Sequence, residues 1–266
     1  MIRDITLGQY YQSESFIHRL DSRVKIIATL FFIINLFVVD SFVGFAFFTV
    51  LLGIVTAVST VPLSFIMKGL KPVLLIIIFT FCLNIFMVDG TVIFKLGFLK
   101  VTEEGVYKAL YMAARLILLI IGSSLLTLTT KPISLTDGME RLLSPFRKIG
   151  VPAHEIAMMM SIALRFIPTL LEETDKIMKA QQARGADFES GNILARAKAL
   201  VPILVPLFIS AFRIAQDLAM AMEARCYKGG KGRTRMHEMK FRTADYLCLL
   251  LVFASFGAAI ILRGWF

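Results

Sequence analysis

Two arginines stand out among the residues that could do chemistry, because each ends an amphipathic helical pattern in the same way. A small residue stands on either side of a guanidinium, whose planar fork of donors suits carboxylates or free helix-end carbonyls on a partner. A lone arginine in a last helical turn complements the helix dipole, worth about 0.3–1 kcal/mol. Because the pattern occurs twice, docking to a partner is an equally good interpretation. The six residues are Ala183, Arg184, Gly185, Ala224, Arg225 and Cys226.

Catalytic and metal-binding patterns are missing from the sequence. There is no G-x-x-x-x-G-K-[ST] loop to cradle a phosphate, and the Gly- and Lys-rich run at 229–234 lacks its spacing. The histidines His18, His154 and His237 are far apart, without the spacing of a zinc site. The acidic run at 172–175 is followed by lysines, which favours a solvated helix face. We therefore predict a protein that is not an enzyme and has no cofactor or metal.

The composition indicates an integral membrane protein. Of 266 residues, 57% are hydrophobic and 18% are charged, and the mean hydropathy is +0.76. Soluble domains are about 45–50% apolar and about 25% charged. The difference excludes a disordered chain, a disulfide scaffold and an ordinary cytosolic enzyme. Three scattered cysteines imply no disulfide framework.

The apolar runs predict an all-α fold with about five transmembrane helices. A helix needs about 20 apolar residues to cross a bilayer, with a range of about 17–25. An amphipathic connector at 61–72 separates the second and third runs, and alternating apolar residues at 91–105 predict a small hairpin or an interfacial loop. The runs lie at 24–39, 42–60, 73–88, 106–129 and 244–262.

The segment 131–243 has a different composition and predicts long coupling helices. A short amphipathic helix at 134–146 precedes two helices at about 153–184 and 193–225. At about 1.5 Å per residue each would be roughly 45–50 Å long. The apolar core at 199–212 is short for a span, so we expect it to be buried or interfacial. We expect both helices to start at membrane depth and reach into the cytoplasm.

The basic residues are distributed unevenly. The net charge is +10, and 18 of the 29 lysines and arginines fall within 131–243. The positive-inside rule then makes this segment, the N-terminus and the 61–72 connector cytoplasmic, with the C-terminus external. The positive net charge is therefore attributed to membrane topology and to contact with anionic lipids. We do not expect nucleic acid as a partner. The predicted domains are a four-span region 1–130, a cytoplasmic coupling region 131–243 and a C-terminal helix 244–266.

Two further charged features each have two interpretations. The mixed-charge segment 18–25 is either a solvated approach to the membrane or a polar network that clamps the first span. Arg115 lies inside the fourth apolar run, where it either marks a functional site or snorkels to the interface.

The chain resembles a known family, the transmembrane T components of energy-coupling-factor (ECF) transporters, called EcfT and CbiQ-like. The resemblance covers nearly the whole length. Two positions depart from the family pattern: Ser22, where proline is frequent, and Cys226, where glycine is most common. The resemblance is carried by His18-Arg19-Leu20-Asp21 with Arg23 and Lys25, by Arg165-Phe166-Ile167-Pro168, by Ala183-Arg184-Gly185 and by Glu223-Ala224-Arg225.

The resemblance implies a scaffold in an ABC-type importer. Family members assemble with two ABC-type ATPases and a substrate-binding membrane subunit, the S component, to take up vitamins or transition-metal ions. Arg184 and Arg225 match the family's ATPase-docking positions. The rival interpretations are a self-contained transporter or channel, and a membrane enzyme acting on lipid. The first predicts several inward-facing intramembrane charges and inverted repeats of spans, but the sequence has one candidate charge and no such repeat. The second predicts clustered catalytic Asp, His or Glu near the interface, and the sequence has no convincing cluster.

Overall fold

The computed structural model describes residues 10–96, 99–186, 188, 192–230 and 239–263. These residues form two compact units, one with residues 143–230 and one with residues 10–142 and 239–263. Both are built from helices, which confirms the predicted all-α fold. In chain order the elements are α1 (Ser22–Val38), α2 (Phe42–Ser59), α3 (Leu63–Leu70), α4 (Leu74–Met87), β1 (Val92–Leu96), β2 (Leu99–Thr102), α5 (Glu103–Thr129), α6 (Pro132–Leu143), a 3₁₀ turn (Ser144–Ile149), α7 (Ala153–Ala183), α8 (Ile193–Ala224) and α9 (Thr243–Arg263).

Short polar side chains begin three of the membrane helices. Asp21 caps α1, Ser41 caps α2 and Thr102 caps α5, each accepting a hydrogen bond from a backbone N–H in the first turn. An oxygen at this position satisfies a donor that has no partner inside the helix. These caps explain why apolar segments with few helix-breaking residues begin as helices at defined positions.

Helix α5 is the centre of the larger unit. It packs against α1, α2, α3 and α4, while α9 packs against α1 and α2. The core between these helices includes Leu36, Phe48 and Leu128. Gly122 permits a close approach of α1, since a Cβ there would lie 2.5 Å from the Phe32 ring.

The helices long and apolar enough to cross a membrane overlap only partly with the predicted spans. Among the described residues five helices qualify, and α2, α5 and α9 agree with the prediction. Helix α1, with 17 residues, is at the lower end of the range that crosses a bilayer, and α4, with 14, is below it. Helices α3 and α4 qualify only as a pair bent by 59°, so the third predicted run is the second half of a broken or re-entrant segment.

The other two qualifying helices are α7 and α8. The apolar stretch is longer than 199–212, because α8 continues through Pro202 and Pro206 and 198–224 forms one apolar helix of 27 residues, long enough to cross. The expectation that this segment is interfacial stays a prediction. Of the two alternatives expected for 199–212, burial within the chain does not agree with the structure, because only 6% of the most apolar part of 198–224 is buried. Large apolar side chains of α8 such as Leu200, Val205 and Phe208 are therefore exposed, whereas Ile203 is buried.

The segment after α4 is a hairpin. Strands β1 and β2 pair antiparallel with Leu96 opposite Leu99, and a register shift lies between Val92 and Phe94. The structure thus selects the hairpin over the interfacial loop.

Candidate functional site

The ends of α7 and α8 have the same backbone geometry. Arg184 and Arg225 are the C-cap residues, with φ/ψ of −89°/5° and −91°/13°. Gly185 and Cys226 follow at φ +89° and +55°, in the left-handed region. The next amide N–H reaches back five residues in both cases, from Ala186 to Gln181 O at 3.0 Å and from Tyr227 to Met222 O at 3.0 Å. Both ends are therefore Schellman motifs.

This geometry exposes the two arginines. Ala183, Arg184 and Gly185 are exposed, as are Ala224, Arg225 and Cys226. Within the part of the chain that the structure describes, neither guanidinium has a hydrogen bond or ion pair. An arginine that only complements the helix dipole would not need to be exposed, whereas an arginine that binds a partner protein must be.

The two arginines lie at opposite ends of the α7–α8 pair. The helices pack against each other and run antiparallel: Gln181 near the end of α7 donates to Pro202 O near the start of α8 at 3.4 Å. At the other end Tyr227, just after α8, approaches His154 at the start of α7. Helix α8 rises about 35 Å between Pro202 and Arg225. One pair of packed helices thus presents two matched cations about 35 Å apart.

Aromatic and sulfur contacts fix the end of α8. The Tyr227 hydroxyl donates to Met158 Sδ at 3.0 Å and lies 3.4 Å from His154 Nε2. Gly230 lies against the same histidine ring, since a Cβ there would come within 2.4 Å of it. These contacts hold the chain beyond Arg225 against α7, so packing fixes the backbone next to the arginine.

The described residues contain no group of three or more His, Cys, Asp or Glu side chains able to hold a metal ion. What the structure places around Arg184 and Arg225 is an exposed surface of small residues and cations. Such a surface can bind carboxylates or helix-end carbonyls.

A polar network occupies the start of α1, in the larger unit. Arg23 binds the Asp21 carboxylate through Nε at 3.0 Å and through a second nitrogen at 2.7 Å, and both side chains are mostly buried. The Asp21 N–H donates to Asp245 Oδ1 of α9 at 2.9 Å. The Arg23 guanidinium lies 3.9 Å over the Phe241 ring. Of the two interpretations of segment 18–25, the structure supports the clamp.

Two ionisable groups in this segment, Asp21 and His18, have shifted pKa values. Burial acts to raise the pKa of Asp21, but hydrogen bonds from Arg23 and the nearby cations outweigh it and lower that pKa below its usual range. Burial lowers the pKa of His18 and the charge of Lys25 adds to this, against a hydrogen bond to the Tyr11 carbonyl at 3.0 Å. Asp21 is therefore held charged and His18 neutral near pH 7.

Arg115 is anchored to the turn between α1 and α2. Its guanidinium donates to Val39 O at 3.1 Å and to the Asp40 carboxylate at 3.0 Å. Because both acceptors belong to the turn, the contact fastens α5 to the α1–α2 connection. The sequence placed Arg115 in a span but did not pair it with Asp40.

Sequence reasoning also missed Asp245. Its carboxylate is buried and accepts from the N–H groups of Asp21 and Arg242. The available signal was an acidic residue at the start of an apolar run, which suggests a specific partner.

Known proteins provide the remaining comparison. A family model described as cobalt transport protein (CbiQ) matches residues 13–237. The "Energy-coupling factor transporter transmembrane protein EcfT" of Thermosediminibacter oceani is 60% identical over 244 residues, 92% of each chain. That of Clostridium kluyveri is 58% identical over 267 residues, 100% of this chain and 99% of its own. That of Bacillus subtilis is 49% identical over 246 residues, 92% and 93%.

The chain belongs to the EcfT/CbiQ family. It is a transmembrane component of an ECF transporter and a multi-pass membrane protein, as the sequence predicted. EcfT proteins are non-catalytic subunits, which agrees with the prediction that this chain is not an enzyme.

Proposed function

We propose that this EcfT protein couples two ABC-type ATPases to a substrate-binding S component during the uptake of vitamins or transition-metal ions. The energy source lies in other chains, because this sequence has no phosphate-binding loop. A substrate site in another chain is supported for metal ions, because the described part of this chain has no group of three His, Cys, Asp or Glu side chains able to hold one.

The placement of Arg184 and Arg225 is the observation that carries the proposal. Two guanidiniums with the same helix-end geometry lie at opposite ends of one helical pair. A single partner molecule would not need two equivalent contacts about 35 Å apart. Two copies of similar ATPase subunits would, one at each end.

This placement also bears on how α7 and α8 lie in the membrane. If the pair stood upright and crossed the bilayer, its opposite ends would lie on opposite sides, and only one arginine could reach a cytoplasmic ATPase. Both can dock only if the pair lies along the cytoplasmic surface. The exposed apolar side chains of α8, such as Val201, Phe208 and Phe212, then face the bilayer or the S component. This orientation replaces the arms reaching into the cytoplasm that the sequence suggested.

The mechanism that we propose is leverage. ATP binding and hydrolysis change the separation of the two ATPases, and each holds one arginine. The two helices, tied at opposite ends, then change their crossing, and the apolar surface of α8 displaces the S component. The proposed topology has a cytoplasmic N-terminus and 131–243 region and an external C-terminus.

The test is recovery of the ATPases on a tagged T component, together with substrate uptake in vesicles. Truncating one partner of a buried hydrogen-bonded charge pair costs about 2–5 kcal/mol, roughly 30-fold to several-thousand-fold in affinity. Arg184→Ala and Arg225→Ala should each weaken assembly, and the double variant should nearly abolish it. The loss of a dipole contact, about 0.3–1 kcal/mol, would barely change recovery.

Arg147→Ala and Arg213→Ala are matched controls, because both arginines are exposed and lie outside the paired helix ends. They should assemble normally. Normal ATPase recovery and uptake by the double variant would show that Arg184 and Arg225 are only helix caps.

A further inference from the structure

An apolar groove of about 330 Å³ lies in the larger unit, apart from the arginine surface. It is formed by α1, α2, α5, α9 and the segment before α1, at the end of the bundle where α1 and α9 begin and α2 and α5 end. From Lys25 to Phe32 it extends over seven residues of α1, or about 10 Å. This is shorter than half of the roughly 30 Å hydrocarbon core, so the groove lies within one leaflet.

The groove opens sideways. Its floor includes Leu52 and Leu125, which are buried. Its rim includes Ile54 of α2 and Leu251 of α9, which are 57% and 58% exposed. Because these rim residues lie on helices long enough to cross the membrane, the opening faces lipid.

Among the described residues that line the groove, only Lys25 is charged. Lys25 is 8% exposed, and no aspartate or glutamate lines the walls. Its ammonium donates to His18 O at 3.2 Å and to Thr129 O at 2.9 Å. An ammonium carries three N–H donors. One donor of Lys25 therefore has no partner among the described residues, at one end of an otherwise apolar channel.

We propose that this groove binds an acyl chain of an anionic phospholipid, with a phosphate oxygen accepting the free N–H of Lys25 and the chain running toward Phe32. The charge complements an anionic headgroup, and the walls complement hydrocarbon. A transmembrane helix of another subunit fits less well, because a helix with its side chains is about 10–12 Å wide and the groove holds about 330 Å³. The lipid would contact both α2 and α9, which line the groove.

The test is photocrosslinking of the full chain in phosphatidylcholine nanodiscs. The probe is phosphatidylglycerol with a diazirine in one acyl chain, and the labelled positions are mapped by mass spectrometry. We expect labelling to concentrate on groove residues such as Val55 and Leu251. Lys25→Met, which removes the donor, and Ala28→Phe, which fills the channel, should each reduce groove labelling roughly tenfold. Val50→Phe, on the exposed outer face of α2, should leave it unchanged.

Several results would overturn the proposal. One is labelling of the Val50 face as strong as that of the groove, and another is no effect of Ala28→Phe. Equal labelling by a diazirine phosphatidylcholine would remove the requirement for an anionic lipid. Competition by oleate but not by phosphatidylglycerol would assign the groove to a free fatty acid. Loss of labelling in the assembled transporter would assign it to a partner subunit. If Lys25→Met fails to fold, the comparison of groove labelling between Ala28→Phe and Val50→Phe tests the proposal.

Discussion

Gly185 and Cys226 adopt the same left-handed backbone conformation, one residue beyond the two matched arginines, although only one of them is a glycine. A residue with a Cβ carries a cost of about 1–2 kcal/mol in this region, which glycine avoids. The second helix end therefore reproduces the geometry of the first at a cost in stability. That it does so indicates that the direction of Arg225 matters.

Cys226→Gly should stabilise the protein by about 0.5–1 kcal/mol. Removing the Cβ relieves the steric strain of the left-handed backbone, but the higher conformational entropy of glycine in the unfolded chain offsets part of this gain. Thermal unfolding of the purified full chain measures this. Cys226→Ala is the matched control, because it keeps the Cβ and should give no gain. Equal melting temperatures for the two variants would mean that the left-handed residue is not strained.

Gly185→Ala should act in the opposite direction. It introduces a Cβ at φ +89° and should lower the free energy of unfolding by about 1 kcal/mol. If the helix end aims Arg184 at an ATPase, this variant should also reduce ATPase recovery. Unchanged stability together with unchanged recovery would contradict both expectations.

Lysine should substitute poorly for either docking arginine. The positive charge remains in Arg184→Lys and Arg225→Lys, but a point charge cannot reproduce the planar fork. We expect ATPase recovery between that of wild type and that of the alanine variants. Full recovery with lysine would show that the contact is a simple charge attraction, which high salt should then weaken.

Asp245→Asn should destabilise the larger unit by about 1–3 kcal/mol. The two carboxylate oxygens accept from two backbone N–H groups, and an asparagine would turn an N–H₂ group toward one of those donors. Thermal unfolding in detergent is the measurement. Asp217→Asn is the control, because Asp217 is exposed and should tolerate the change. Similar melting temperatures for both variants would refute a role for the α1–α9 contact.

The pKa of His18 predicts a pH dependence of stability. Burial lowers this pKa below the ordinary histidine value of 6.5, so the unfolded chain binds a proton more readily than the folded one. Stability is then fully present above about pH 6.5 and is lost as the pH falls through the folded pKa. Melting temperatures between pH 5 and 8 should show this slope for wild type and a smaller slope for His18→Gln. The same slope in both would assign it to other groups.

The topology can be tested by labelling single cysteines in a cysteine-free background. An impermeant maleimide added outside cells should reach a cysteine at Asp89, in the turn after α4, but not at Lys71 or Arg147. The reason is the concentration of basic residues on one side of the membrane. External labelling at Arg147 would place the coupling region on the wrong side for ATPases.

The sequence could predict those features that depend on neighbouring residues. The boundaries of α7 and α8 follow from helical periodicity and from a glycine or small residue after each arginine, and they agree within one residue with the structure. The third apolar run was less well predicted. Pro72 marks the break between α3 and α4, but hydropathy does not show that the two helices join as one segment bent by 59°.

Long-range pairs could not be predicted from one sequence. Arg115 and Asp40 are 75 residues apart, and either could have paired with another charge. The antiparallel packing of α7 and α8 could not be predicted for the same reason. The sequence shows two similar helix ends, but it does not show that they lie at opposite ends of the helix pair. That relationship depends on contacts such as Tyr227 with His154, which no local pattern indicates.

The bond between the Asp21 N–H and the Asp245 carboxylate also has a consequence for biosynthesis. The two residues are 224 positions apart, so one end of α1 enters the membrane before its last partner exists. At about 5–20 residues per second, a ribosome needs roughly 10–45 s to reach Asp245 after Asp21. During this interval the first helix lacks its contact with the ninth, and the bundle is closed only when nearly the whole chain has been translated. A nascent chain that stops before α9 would therefore expose the start of α1 without its α9 partner, which quality-control proteases could recognise.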